Sequence, residues 1–316
     1  MSLRLFKYEL AAGMPSGLLS LLTAVLMSYP AGRSHAANQA TDQAMDQAAE
    51  QEEASTASAR LSARRQLNAQ LLEAVANGDS AAIDGLIESG ASPNARDESR
   101  RTALMLATTQ GHAVTETVIQ EGLGVRVEIE GLPAPPVTAV QLELIGLLIR
   151  RGADIEAADN ESKTALMLAV ERDYAKIAEL LLQEGANPDA QYASGLPLLC
   201  LAANRGFVWT AKVLLDAGAS ADAISASGRQ ALHYAAEMNH VPVAKLLLDS
   251  GVLVDVRSEG GWTALHTAAS RGHVEMVTLL LERNADRTLL TPQSMSAERV
   301  ASARGHTDIV EILGSQ

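Results

Sequence analysis

Short apolar stripes at three- and four-residue steps recur along most of this chain. In the clearest example, Val274, Val277 and Leu280 fall on one face of a helix. Gly272 separates this helix from an earlier short one around Ala268, where a small side chain lets two helix backbones approach closely. Neither helix is long enough to be stable alone in water, so each must bury its stripe against a neighbour.

The same helical sequence segment recurs along the chain with a fixed period. The alanines at its centre are Ala74, Ala107, Ala169, Ala202, Ala235, Ala268 and Ala301, at spacings of 33, 62, 33, 33, 33 and 33 residues. Self-similarity at this period predicts an all-α solenoid, a stack of about seven helix-turn-helix units. Such a stack offers a long contact surface and rarely a closed catalytic pocket.

The amino-acid sequence of this repeated segment resembles the ankyrin repeat. That family is marked by Thr-Pro-Leu-His-x-Ala, followed by a Gly-His turn and a Leu-rich second helix. Residues 263–268 read Thr-Ala-Leu-His-Thr-Ala and precede Gly272-His273, while Gln230 stands at the Thr position before Ala-Leu-His-Tyr-Ala at 231–235. The resemblance covers about residues 67–316 and implies short β-hairpin-like finger loops between the helix pairs.

Three units depart from this pattern at the histidine. Residues 102–107 and 164–169 carry Met there. Residues 197–202 are more degenerate, and we place Leu199 at the His position with Cys200 just after it. The predicted ankyrin domain divides into an N-cap (about 67–97), a repeat with an insertion (98–159), repeats at 160–192, 193–225, 226–258 and 259–291, and a C-cap (292–316). Glu298 and Arg299 fit a polar end face, which a terminal repeat needs for solubility.

One interval is longer than the others by 29 residues, and we place this insertion at 113–141. It contains an alternating run at 125–130, typical of a half-buried strand, and a proline turn at 131–136. Insertions in repeat proteins map to one face, so the loop can add partner specificity. It can equally be a tolerated loop, because long surface insertions cost little closure entropy.

The first 36 residues read as a secretory signal. Arg4 and Lys7 precede a Leu-rich apolar stretch at 17–27, and Ser34-His35-Ala36 offers small residues for cleavage after Ala36. The apolar stretch is short for a membrane span, so an uncleaved inner-membrane anchor is the second alternative. We expect a periplasmic or secreted bacterial protein. Residues 37–66 are mostly Ala, Gln, Asp, Glu and Ser, which predicts a low-complexity, disordered linker. Their Ala and Glu content leaves a loosely helical segment as the alternative.

The net charge of the chain limits the classes of partner that it can bind. The net charge is −13, and removing residues 1–36 also removes three cations and one anion, so the mature chain carries −15. This balance argues against nucleic acid and against anionic membrane surfaces. We expect a monomer that binds a protein.

Candidate catalytic chemistry is sparse. The resemblance gives His233 and His266 a structural role toward the next repeat, and His112, His240, His273 and His306 follow the turn between helices. Cys200 has no partner for a disulfide or a metal, so we expect a buried, inert thiol. No phosphate loop or nucleophile motif appears. We therefore predict no catalytic residue, no cofactor and no metal site.

In ankyrin arrays the fingers and the exposed sides of the first helices line a concave groove, and their identity sets binding. Trp, Tyr and Arg dominate interface energetics, so Trp262 and Tyr192 are the leading anchors. The predicted partner-binding residues are Arg100, Arg172, Tyr192, Arg205, Glu237, Met238, Trp262 and Arg271.

These observations favour a non-catalytic protein-interaction module. Within that class, an immunity protein that neutralises a toxin and an accessory factor for a periplasmic enzyme such as a catalase remain open, because both would use the same groove. The alternative from another class is an enzyme with the insertion as a lid. Residues 113–141 contain no His, Cys, Ser, Asp or Lys, which leaves such an enzyme little chemistry.

Overall fold

The computed structural model describes residues 35–109 and 137–314. These residues form fourteen α-helices. The helices are α1 (His35–Asn77), α2 (Ser80–Glu88), α3 (Ala103–Thr109), α4 (Ala139–Arg150), α5 (Ala165–Glu171), α6 (Ala175–Gln183), α7 (Leu198–Arg205), α8 (Val208–Asp216), α9 (Ala231–Glu237), α10 (Val241–Asp249), α11 (Ala264–Arg271), α12 (Val274–Glu282), α13 (Ala297–Arg304) and α14 (Thr307–Gly314). The chain divides into two compact units, Met1–Gln66 and Leu67–Gln316. Nearly all of the predicted signal and most of the predicted insertion lie outside the described residues.

Helix α1 includes the segment 37–66, for which we expected a disordered linker. The structure differs from that expectation and agrees with the helical alternative. The composition explains the helix, because Ala, Gln and Glu are strong helix formers even where no apolar stripe is available for burial. Within 51–66 almost every side chain is exposed, so intrinsic propensity rather than packing accounts for the helical backbone.

From Leu67 onward the helices come in pairs, which confirms the predicted all-α solenoid. The first pair joins the end of α1 to α2, and the last joins α13 to α14. The alanines at the centre of the repeated phrase are buried, with exposed fractions of 0% from Ala107 through Ala301 and 7% at Ala74. Leucines from the second helices, such as Leu181, Leu214 and Leu247, are fully buried against them. One continuous apolar core therefore runs through the stack.

The loops between pairs form the predicted hairpin-like fingers. Two of them carry antiparallel bridges, Arg96 to Thr102 and Gln191 to Pro197. One position of each finger has a positive φ, and it is occupied by Arg100, Ser162, Gly195, Gly228, Gly261 and Ser294. At Gly228 an added Cβ would lie 2.3 Å from Cβ of Glu259 on the next finger. Glycine here permits the close stacking of successive fingers as well as the backbone turn.

A ladder of hydrogen bonds links successive repeats at the base of the fingers. At four of the junctions a side-chain oxygen accepts the backbone N–H of the next repeat. The pairs are Asn94 with Asp154 (2.7 Å), Glu156 with Asn187 (2.8 Å), Asp189 with Ser220 (2.7 Å) and Asp255 with Asp286 (3.0 Å). These bonds fix the register of the stack because each acceptor recurs at the same position of its repeat.

The long interval rejoins the solenoid at α4. This helix begins at Ala139, after an N-cap at Thr138, and it is three residues longer than α6, so its first turn is formed by residues 139–141, the last three of the insertion as we place it. Gln141 is buried, and its amide donates to the carbonyls of Ala107 (3.0 Å) and Thr108 (2.9 Å) at the end of α3. The extra first turn of α4 thus caps its partner helix.

Candidate partner-binding groove

Finger side chains and the ends of the first helices together form a surface that we call the groove. Its larger depression, about 480 Å³, is lined by Arg229 and Trp262 from fingers and by Glu237, Arg271 and Arg304 from helix ends. A second depression, about 450 Å³, lies earlier in the stack. Tyr192 and Leu196 from a finger line it together with Glu171, Leu201 and Arg205 from helices. Both are open and mixed in polarity, which suits side chains of another protein.

Glu237 is the electrostatic centre of the larger depression. Its carboxylate pairs with Arg229 at 2.5 Å and with Arg271 from the next repeat. Burial alone would raise the pKa of Glu237, but the hydrogen bonds and charges of the two arginines outweigh it and lower the pKa. The Arg229 guanidinium also lies 4.6 Å above the ring of Tyr234. Glu237 and Arg229 are therefore held in place before any partner arrives.

A related ion pair lies two repeats earlier. Lys163, on a finger, pairs with Glu171 at the end of α5 at 2.9 Å and with Glu161 at 3.0 Å. The hydrogen bonds to Glu171 and Glu161 raise the pKa of Lys163. The finger cation and the helix-end glutamate occupy the same two repeat positions as Arg229 and Glu237. The groove thus repeats one charge arrangement along its length.

The two predicted aromatic anchors, Tyr192 and Trp262, are partly buried and contact other residues of the scaffold. Tyr192 is half-buried and donates its hydroxyl to the carbonyl of Met167 at 3.1 Å, and burial raises the pKa of its phenol. Trp262 is also half-buried, with its ring centroid 6.1 Å from that of His266. Each nevertheless lines a depression, so one face of each side chain is open to a partner.

The other predicted residues are exposed at different places along the groove. Arg205 and Arg271 line the depressions, and Met238 is 50% exposed at the end of α9. Arg172 donates to the carbonyl of Thr109 at 3.0 Å. Arg100 lies on the first finger with a φ of 61° and borders neither depression. The structure brings Glu237, Trp262 and Arg271 together and leaves Arg100 apart.

Five described histidines donate from Nε2 to backbone carbonyls, as the structural interpretation predicts. His233 and His266 reach forward to Trp262 (3.0 Å) and Leu289 (3.1 Å). The other three reach back to the end of the preceding first helix: His240 to Asn204, His273 to Glu237 and His306 to Ser270, at 3.1, 2.9 and 3.2 Å. His112 lies outside the described residues.

Cys200 corrects our reading of its repeat. It is the third residue of α7, as His233 and His266 are the third residues of α9 and α11, so Cys200 and not Leu199 stands at the His position. Its Sγ lies 3.9 Å from the carbonyl of Arg229, which corresponds to the bond from His233 to Trp262. Cys200 is buried, as expected, and burial raises the pKa of its thiol to about 12, which disfavours the reactive thiolate.

Two groove residues, Arg229 and Arg304, were missing from the predicted set. Arg304 lies in the predicted C-terminal cap and follows Arg271 by one period of 33 residues. The repeat phase could therefore have identified it. Arg229 lies on a finger tip, but its bonds to Glu237 and Tyr234 depend on the fold.

Two finger arginines belong to the scaffold instead. Arg96 donates through Nη1 to the carbonyls of Arg100 and Ala158, both at 2.6 Å. Arg257 does the same with Gly261 (3.0 Å) and Leu290 (2.8 Å). Each guanidinium thereby joins its own finger to the next one.

Within residues 35–109 and 137–314, no cluster of His, Cys, Asp and Glu side chains could hold a metal ion. Across the same residues, no helix combines the length and the apolar character that a bilayer span requires.

Comparison with known families agrees with this geometry. The family model described as "Ankyrin repeats (3 copies)" matches residues 71–192, and the one described as "Ankyrin repeats (many copies)" matches residues 199–248 and 232–281. No curated protein matches the sequence significantly. Helix pairs, stacked fingers and the matched segments together show that the chain belongs to the ankyrin repeat family.

Proposed function

We propose that this protein is an exported, non-catalytic module that binds a partner protein along the groove. The observation that carries the proposal is the pair of open depressions, which contain Tyr192, Arg205, Glu237, Trp262 and Arg271 from the predicted set. Aromatic and arginine side chains on a rigid scaffold are typical of interface hot spots. His233 and His266 donate hydrogen bonds to backbone carbonyls, which supports a binding role over a catalytic one.

The export part of the proposal rests on the leader-like residues 1–36. N-terminal sequencing of the protein isolated from its own cells, together with fractionation, tests it. We expect a mature N-terminus at Ala37 in the periplasmic or secreted fraction. An intact Met1 in the membrane fraction would instead establish the anchor alternative.

Partner binding is tested by affinity capture with the mature chain, followed by measurement of Kd for the purified partner. The groove variant Trp262→Ala/Met238→Ala removes two apolar groove side chains. The control variant Lys245→Gln/Glu275→Gln changes exposed residues on second helices. We expect the groove variant to lose about 2 kcal/mol of binding free energy and the control to match the wild type. Equal Kd values for all three proteins, with thermal stability unchanged, would contradict the groove proposal.

A further inference from the structure

Four arginines recur at one repeat position along the groove, and we call them the arginine ladder: Arg172, Arg205, Arg271 and Arg304. Arg205, Arg271 and Arg304 end their first helices, and Arg172 follows the end of α5 as its C-cap. All four are exposed. Met238 occupies the same position at the end of α9 and is also exposed. At this position, five successive repeats therefore present two cations, one apolar side chain and two cations.

The positive charge of the ladder is only partly balanced by carboxylates of the scaffold. Lys163 and Arg229 from the fingers already bind Glu171 and Glu237, the glutamates next to the ladder. Among the described residues, Arg205 and Arg304 pair with no carboxylate, and Arg172 bonds to a carbonyl. Arg271 shares Glu237 with Arg229. A line of positive charge thus crosses a chain whose net charge is −13.

The spacing of the ladder fits an extended chain. Neighbouring helices in a stack lie about 8–10 Å apart, so successive ladder positions are separated by about that distance. A peptide in the extended polyproline II conformation advances about 3.1 Å per residue with three residues per turn, so every third side chain lies on the same face and about 9 Å further along. Around Arg271 and Arg304, the side chains of Ser258, Thr267 and Ser270 offer neutral hydrogen-bonding groups.

We propose that the arginine ladder binds an extended acidic segment of the partner protein. Carboxylates at every third residue of that segment face the arginines, and an apolar side chain faces Met238. The guanidinium fork suits carboxylate recognition because it can donate two parallel hydrogen bonds. This inference rests on the proposed partner-binding function and specifies its chemistry.

Fluorescence anisotropy with synthetic peptides and the full mature chain tests the inference. The probe is a labelled thirteen-residue peptide with glutamate at its first, fourth, tenth and thirteenth positions, leucine at its seventh, and serine elsewhere. The control peptide has the same composition with its glutamates in one block. We expect the spaced peptide to bind more tightly than the block peptide, and its binding to fall when salt is raised to about 1 M.

The decisive variant is Arg205→Gln/Arg304→Gln, because neither side chain has a carboxylate partner to lose within the described fold. Its matched control, Lys176→Gln/Lys245→Gln, removes the same charge from exposed sites on second helices. We expect the ladder variant to weaken peptide binding by about fivefold and the control to leave it unchanged. Absence of binding, equal binding of the two peptides, or an unchanged Kd in the ladder variant would each overturn the inference.

The same variants separate this inference from the broader function. If the natural partner loses affinity for Trp262→Ala/Met238→Ala but not for Arg205→Gln/Arg304→Gln, the groove binds protein and the ladder inference fails. If neither variant changes the affinity for the partner, the proposed groove function itself fails. Reduced affinity in both variants supports both proposals.

Discussion

His233 and His266 combine burial with a hydrogen bond in a way that ties their titration to folding. Burial lowers the pKa of both imidazoles below the ordinary value of 6.5, although backbone hydrogen bonds act in the opposite direction. The charge of Arg229 lowers the pKa of His233 further. The native state therefore holds both rings neutral at a pH where the unfolded chain already binds protons.

We accordingly predict that the free energy of unfolding falls as the pH drops below about 6.5, by at most about 1.4 kcal/mol per pH unit for each histidine. The stability is fully present above the unfolded pKa and decreases until the pH reaches the folded pKa. Denaturant titrations of the wild type and His233→Met/His266→Met at pH values on both sides of 6.5 measure the effect.

Methionine is the matched replacement because Met105 and Met167 occupy the same position in other repeats. The double variant should lose much of the pH dependence between neutral and mildly acidic pH, whatever its absolute stability. An identical pH dependence in the two proteins would show that these histidines are not its source.

At the scale of the element, the finger turns decide how closely repeats stack. Gly228 and Gly218 both have positive φ, at 64° and 86°, but their surroundings differ. An added Cβ at Gly228 would meet Glu259 of the next finger, whereas an added Cβ at Gly218 would point into open space. The pair therefore separates backbone strain from steric conflict.

We predict that Gly218→Ala costs about 1 kcal/mol of stability, from left-handed backbone strain alone. Gly228→Ala should cost about 1–3 kcal/mol more, because the fingers must also move apart. Chemical denaturation of both variants gives the comparison. Equal losses would mean that the fingers separate freely and that their stacking adds little.

Much of the helix pairing could be predicted because each short helix displays its apolar stripe in the local sequence. The histidine contacts could also be predicted from their repeat position. Cys200 was misplaced by one residue because Pro197 and the leucines around Cys200 blur the repeat phrase. The scaffold role of Arg96 and Arg257 could not be predicted, because a bond to a carbonyl of the next finger leaves no signal in the local pattern.

For the whole ankyrin unit, nearest-neighbour contact governs stability. An internal helix pair buries both of its faces, while α13 and α14 have a neighbour among the described helices on one side. In a linear stack the free energy depends on intrinsic repeat stability and on interfaces between adjacent repeats. The end pair therefore opens at lower cost than an internal pair.

Native-state hydrogen exchange measured by mass spectrometry should show this gradient. We predict faster exchange for amides of α13 and α14 than for those of α7 through α10, since local opening at the end breaks one interface instead of two. Uniform protection across the stack would indicate that the repeats unfold as a single cooperative unit.

The sequence by itself determined the period, the helix pairs and the exposed positions of the groove, because these follow from local apolar patterning and from the repeat phase. Only the tertiary structure decided which charges meet. Arg229 and Arg271 converge on Glu237 from two repeats, whereas Arg205 and Arg304 remain without a carboxylate partner within the described residues. Such pairing depends on side-chain distances between repeats, and the order of residues along one chain does not specify them.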